Sequence, residues 1–224
     1  MGDTITETEL SFRPATTGDG AFAADVETAI RPDSPRDPIS YSYWWSQPDE
    51  HLEIRRFIAR RRGRDIGFAT TEHARWDMHP ERYAWVGGDV VPAERSNATL
   101  DAILAAMEER VVNDGAAILC AWAYEDDPLR IEIILARGYK EDRRSRRWQL
   151  DLVANRESLL AMTESSRTRM RLEGVRILTL AEDDDPRVIE KVWRLSEEAG
   201  DDVPTTVPRL RPSAATLKSG VSVA

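Results

Sequence analysis

The stretch VVPAERSNATLDAILAAMEERV, Val90–Val111, has the layout of a phosphate-holding loop: a strand end, a short turn, then a helix whose first amides point outward. A loop that wraps a pyrophosphate uses glycines, because a Cβ keeps backbone N–H groups away from the oxygens. This stretch has none. Two readings stand side by side: a cofactor loop that has lost its glycines, and an ordinary strand–helix connection in which Ser96, Asn97 and Thr99 only cap the helix. Other residues with chemical reach are few. His51, His73 and His79 lack the H-x-x-x-H or H-x-x-E-H spacing that zinc sites use. Cys120 is the single cysteine, which excludes a disulfide framework or a thiolate metal cluster. It falls in mid-strand and reads as a small buried hydrophobe.

The elements around this loop follow from periodicity. LSFRPAT, Leu10–Thr16, alternates and stops at a proline, a short first strand. Thr17-Gly18-Asp19 caps a helix through AFAADVETAI, and ISYSYWWSQPDEH gives a second helix with Trp44 and Trp45 turned inward. EIRRFIARR and DIGFATTEHAR flank Arg62-Gly63-Arg64 as an antiparallel hairpin. RYAWVGGDVV, Arg82–Val91, is nearly continuous in apolar character and reads as a central strand covered on both faces, with a bulge at Gly87-Gly88. Leu100, Ile103, Leu104, Met107 and Val111 recur at helical steps until Asn113-Asp114-Gly115. AAILCAWAYE, Ala116–Glu125, is a further buried strand, and a helix starts at Asp126-Asp127-Pro128. YKEDRRSRRWQLDL, Tyr139–Leu152, closes the pattern as a strand pair. Trp85, Trp122, Tyr124 and Trp148 are expected in the core. The result is an α/β mixed sheet with helices on both faces.

Beyond it, Asn155–Glu173 reads as a long amphipathic helix or linker. VRILTLAE, Val175–Glu182, repeats the character of the first strand, and DPRVIEKVWRLSEEAG repeats the helix after it. The expected domains are 9–153, a linker at 154–174, the strand and helix of a second copy at 175–203, and a disordered tail at 204–224.

Composition limits the partners. The 224 residues carry a net charge of −9, which argues against nucleic acid. The basic runs Arg55–Arg64 and Arg143–Arg147 have acidic neighbours and read as solvated strand faces and turns, with an anionic ligand or an RNA contact as the alternative. No apolar run reaches the roughly 20 residues of a membrane span. The polar, acidic start lacks the plan of a secretory signal, so the expected compartment is the cytoplasm.

The order of elements resembles the GNAT (Gcn5-related N-acetyltransferase) family, especially its tandem two-domain bacterial members. SFRPATTGD resembles the opening strand, RRGRDIGFA the hairpin, WVGGDVVPAER the central strand running into its loop, and AWAYEDDPLRIEIILARGYKE the strand and helix that follow. VRILTLAEDDDPRVIEKVWRLSEEAGDDVP resembles the junction into a second, here incomplete, domain. The resemblance implies acyl transfer from acetyl-CoA to a small-molecule or peptide amine. It implies cofactor contacts at Asp89, Val90, Val91, Ser96, Asn97, Ala98 and Thr99.

Aligned from Val91-Pro92, the family's loop places its Arg/Gln on Ser96 and its glycines on Thr99 and Asp101, so each marker is missing. Asp101 would put a carboxylate in the first helical turn, against an anion. The cofactor site is therefore expected to be degenerate, with acetyl-CoA binding weak or lost. The family's acid tyrosine falls on Ile134, Tyr139 is a packing aromatic, and the base candidates near the central strands are Asp89 and Glu125. The alternative is a non-catalytic GNAT-like binding or interaction module. The apolar faces of Val175–Gly200 need cover, which the N-terminal domain of the same chain or a second chain in a homodimer would supply.

Overall fold

The computed structural model describes Leu10–Asp49 and His51–Val207. The described residues form two compact units, one reaching to Lys140 and the other spanning Glu141–Thr206.

The first unit is built on a five-stranded sheet in the order β1-β2-β3-β4-β5. These are β1 (Leu10–Pro14), β2 (Leu52–Arg61), β3 (Arg64–Ala74), β4 (Tyr83–Val90) and β5 (Ile118–Cys120). The first four run antiparallel to their neighbours, and β5 is parallel to β4. Helices α1 (Gly20–Ile30) and α2 (Pro38–Ser46) connect β1 to β2, and α3 (Asn97–Asn113) connects β4 to β5. Helix α4 (Pro128–Ala136) follows β5.

Strand alternation divides the core in two. On one face Phe57, Ala59, Ala69, Ala84, Val86 and Val90 pack against Leu100, Ile103, Leu104, Met107 and Val111 of α3 and Ile133 of α4. The other face carries Ile58 and Phe68 against Ala23 and Val26 of α1, with Tyr41 and Trp45 of α2 alongside. The β2–β3 hairpin turns on Arg62 and Gly63 at φ 51° and 75°, the positive-φ pair that a two-residue hairpin with right-twisted strands requires.

Several expectations give way. The β3–β4 register is unbroken through Gly87 and Gly88, so no bulge lies there; the irregularity is between β2 and β3, at Ala59/Arg60. The expected strand Ala116–Glu125 shrinks to three residues. Trp44 is exposed while Trp45 packs on Phe68 at 6.5 Å between ring centroids. Helix α2 covers the sheet with one side only, and consecutive residues point about 100° apart. Trp122 and Tyr124 lie on the surface, one stacked on Trp85 and the other beneath the Arg31 guanidinium at 3.4 Å.

The second unit holds α5 (Arg156–Leu172) and α6 (Val188–Asp201). Tyr139–Leu152 contains no strand, and Trp148 is exposed rather than in the core. Four arginines in five residues are costly to bring under cover, and Arg144 is held locally by Glu141 at 2.7 Å. Nor is Val175–Glu182 a strand. There the Thr179 hydroxyl and backbone N–H both donate to Glu182 at 2.9 Å, a local turn that competes with extended pairing. The expected tail beyond Val207 lies outside the described residues.

Candidate functional site

Strands β4 and β5 pair only at Tyr83↔Ile118, Ala84↔Leu119 and Trp85↔Cys120. After Cys120 the chain leaves the sheet for α4, while β4 runs on to Val90. The two strands thus part just before Gly87-Gly88, leaving Val86–Val90 without a β5 partner. Trp85 and Trp122 stack across the parting point, 5.2 Å between centroids and 8° from parallel. Gly88 sits at φ 152°, and a Cβ there would meet the Phe68 carbonyl at 2.5 Å, so the close approach of β3 to β4 excludes a side chain.

Side chains converge on this unpaired length. Arg130, from the first turn of α4, donates to the Gly88 carbonyl at 2.7 Å and to Asp89 Oδ2 at 2.6 Å. Arg95 donates to Asp89 Oδ1 at 3.0 Å and to Asp127 Oδ2 at 2.5 Å. Asp127 caps α4 by accepting the Arg130 backbone N–H. Asp89, Arg95, Asp127 and Arg130 form an alternating ring of charge with side chains 7–16% exposed. Each carboxylate has two cations against it, which balances the cost of taking these ions out of water.

The residues expected to hold a cofactor divide between this ring and the start of α3. Asp89 is tied up in the ring, and Val90 is buried in the core. The Val91 N–H donates to Ile66 O on β3. Ser96 is the N-cap, its hydroxyl accepting the Thr99 N–H at 3.3 Å, and Thr99 Oγ1 also accepts from Arg61 at 3.0 Å. Asn97 and Ala98 are exposed. Asp101 is not in the first turn, because the helix begins at Asn97. It pairs with Arg137 at 2.7 Å, and Arg137 also grips Glu108, so that α3 is braced to the end of α4.

Glu125 is exposed and stands outside the ring. Ile134 packs against the core and supplies no hydroxyl, while the Tyr139 hydroxyl donates to Glu108 at 3.0 Å. Burial, then Glu108, pushes that phenol above its usual range. Cys120 is buried, and His73 stacks on Trp76 at 3.9 Å. Among the described residues no group of three or more His, Cys, Asp or Glu could hold a metal ion.

Sequence reasoning passed over a second set on the α1/α2 face. Glu72 of β3 lies opposite Ile54 on β2 and Trp85 on β4, and Arg56 lies opposite Thr70. The Arg56 guanidinium is 5.2 Å from the Trp45 ring. Burial raises the Glu72 carboxyl above the usual carboxylate range; Asp49 adds to this and Arg56 opposes it. The available signal was the lone acid in the alternating run ATTEHA.

No protein-family model matches the sequence, and no curated protein matches it. Solved structures do. A transcriptional regulator from Bacillus halodurans C-125 aligns at 14% identity and TM-score 0.52, over 63% of this chain and 100% of that one. A protein of Agrobacterium tumefaciens str. C58 provisionally assigned as an acetyltransferase aligns at 16% and 0.50, over 62% and 99%. A protein provisionally assigned as a phosphinothricin N-acetyltransferase aligns at 17% and 0.50, over 58% and 82%. The fold is that of GNAT acetyltransferases. At these identities the likeness speaks for the fold alone. Among the described residues no helix is long and apolar enough to cross a membrane.

Proposed function

We propose that the first unit is a GNAT-type N-acyltransferase domain that takes an acyl group from acetyl-CoA and passes it to an amine, with a weakened cofactor site. The observation that carries this reading is the parting of β4 from β5 at Trp85/Cys120, which leaves strand backbone beside Gly87-Gly88 for a thioester arm to pair with. The exposed start of α3, at Asn97 and Ala98 with the cap at Ser96, is the element for the pyrophosphate. Asp89 and Val90 are the strand end beside it. The names of two of the aligned proteins, both acetyltransferases by assignment, agree with the reading. Weakness follows from the missing glycines and from Arg130, which already occupies the Gly88 carbonyl.

Arg130 also supports a second reading, a non-catalytic module in which the ring of charges holds the slot closed. One aligned structure is named a transcriptional regulator rather than an enzyme. Titrating CoA into the protein by calorimetry, with an acetyl-CoA thiol-release assay over a panel of primary amines, separates the two. Heat of binding with amine-dependent thiol release supports the transferase, and its absence in both the parent and Arg130→Ser leaves the module. The likeness of Val188–Gly200 to α1 supports an incomplete second copy as in tandem members, without the strand that should precede it.

A further inference from the structure

Beyond Cys120 the chain leaves β5 carrying Trp122 and Tyr124, and both stay in part on the surface, 54% and 37% exposed. An indole exposed to that extent keeps apolar area in water and gains by meeting a ligand. Its orientation is nevertheless set. Trp122 lies on Trp85 of β4, with ring centroids 5.2 Å apart and planes 8° from parallel, so a second indole, anchored in the sheet, backs one of its faces. Tyr124, two residues on, has the Arg31 guanidinium over its ring at 3.4 Å, and Asp126 holds Arg31 at 2.8 Å.

The place matters as much as the surface. Trp85 is the last residue of β4 that pairs with β5, and Gly87 lies two residues further, about 7 Å along the strand. A rigid, flat apolar surface therefore stands beside the strand edge on which the thioester arm would lie. Aromatic rings match such a surface, because two π systems settle in offset or edge contact over a whole ring, whereas an alkyl group meets only part of it. A cation is the other partner an aromatic face attracts. Here Arg31 and Asp126 already form an ion pair against the neighbouring Tyr124, so what this corner still takes is apolar area.

We infer that Trp122 is a stacking platform for the acyl acceptor, so that the amines used carry an aromatic ring on a short alkyl chain; this rests on the transferase reading above. The ring lies on Trp122 beside Tyr124, and the chain carries the amino nitrogen from there to the edge of β4 at Gly87-Gly88. An amino group borne directly on the ring lacks that reach. Trp122 selects the acceptor by touching it, while Trp85 is a positioning residue that holds Trp122 at its angle.

The platform can be tested without the cofactor. Phenethylamine and cyclohexylethylamine, alike in chain and charge but unlike in the ring, are titrated separately into the full chain by calorimetry. Saturable binding of phenethylamine is expected, about fivefold tighter than that of the cyclohexyl compound. Trp122→Leu, which keeps an apolar side chain, should bring the two affinities together. Trp122→Phe should keep part of the preference, and it decides the matter if the leucine variant fails to fold. Equal affinities in the parent, no saturable binding by the parent, or a preference unchanged in the variants overturns the assignment. Trp122-dependent phenethylamine binding without CoA binding or thiol release would remove the transferase reading and leave the platform standing. Acetylation of both amines with equal kcat/KM, unchanged in Trp122→Leu, would do the reverse.

Discussion

Glu72 and Asp19 are shifted in opposite directions, and their pH signatures differ in sign. Burial, with Asp49, raises the Glu72 carboxyl, so the folded state holds that proton more tightly than the unfolded chain does. The stability it contributes is fully present below the unfolded value of about 4.3 and is lost as pH rises through the folded one. Glu72→Gln should therefore melt above the parent at neutral pH, with the gap closing below about pH 4 in thermal scans. Asp19 accepts two hydrogen bonds from Arg13, at 2.9 and 2.7 Å, and further ones from the Thr16 N–H and hydroxyl. The Arg13 bonds come first in holding its carboxyl well below the usual range. Its contribution is present above the unfolded value of about 3.9 and is lost as pH falls through the folded one. Asp19→Asn should cost about 1.5–3 kcal/mol at pH 7, read from urea midpoints, and near nothing in strong acid.

Among the elements, the β2–β3 hairpin isolates a backbone effect from packing. Gly63 has φ 75°, and nothing lies within 4 Å of where its Cβ would be. Gly63→Ala should thus cost about 1–2 kcal/mol through left-handed backbone strain alone, measured by chemical denaturation. Helix α3 is where packing dominates. Met107 is fully buried between Ile103 and Val111, and Met107→Ala should cost about 2–5 kcal/mol, a loss a thermal melt reads directly. The loop ahead of α3 is fixed by side chains rather than by glycines. Arg61 bonds Glu94 at 2.6 Å as well as Thr99, and the ring holds Arg95.

For the whole molecule, the contrast is between a unit with a two-sided core and one with little. Within Glu141–Thr206 no described residue is buried, and Leu172, Ile177, Leu180 and Leu195 are all more than half exposed. Apolar surface of that extent is a liability unless another surface takes it. The full chain is expected to self-associate, and a chain ending at Gly174 to sediment as the smaller species. Matching sedimentation and melting of the two chains would refute this.

Periodicity was enough to reveal β1 to β4, α1 to α4 and the helix start at Asp127, because those signals lie within one or two turns of chain, while the choice of Ser96 among three capping residues came from the structure. The absence of glycines between Val90 and Val111 was equally legible, being a property of residue type. Sequence alone did not reveal that Asp89, Arg95, Asp127 and Arg130 meet, since up to 41 residues separate the bonded pairs. Nor did it reveal that Asp101 serves Arg137, or that Glu72 faces Trp85. It over-read Tyr139–Leu152 and Val175–Glu182 as strands, because alternation states which faces a strand would have and not whether an edge is there to pair with. The elements came from local pattern; their partners came from the sheet register, which only the folded chain sets.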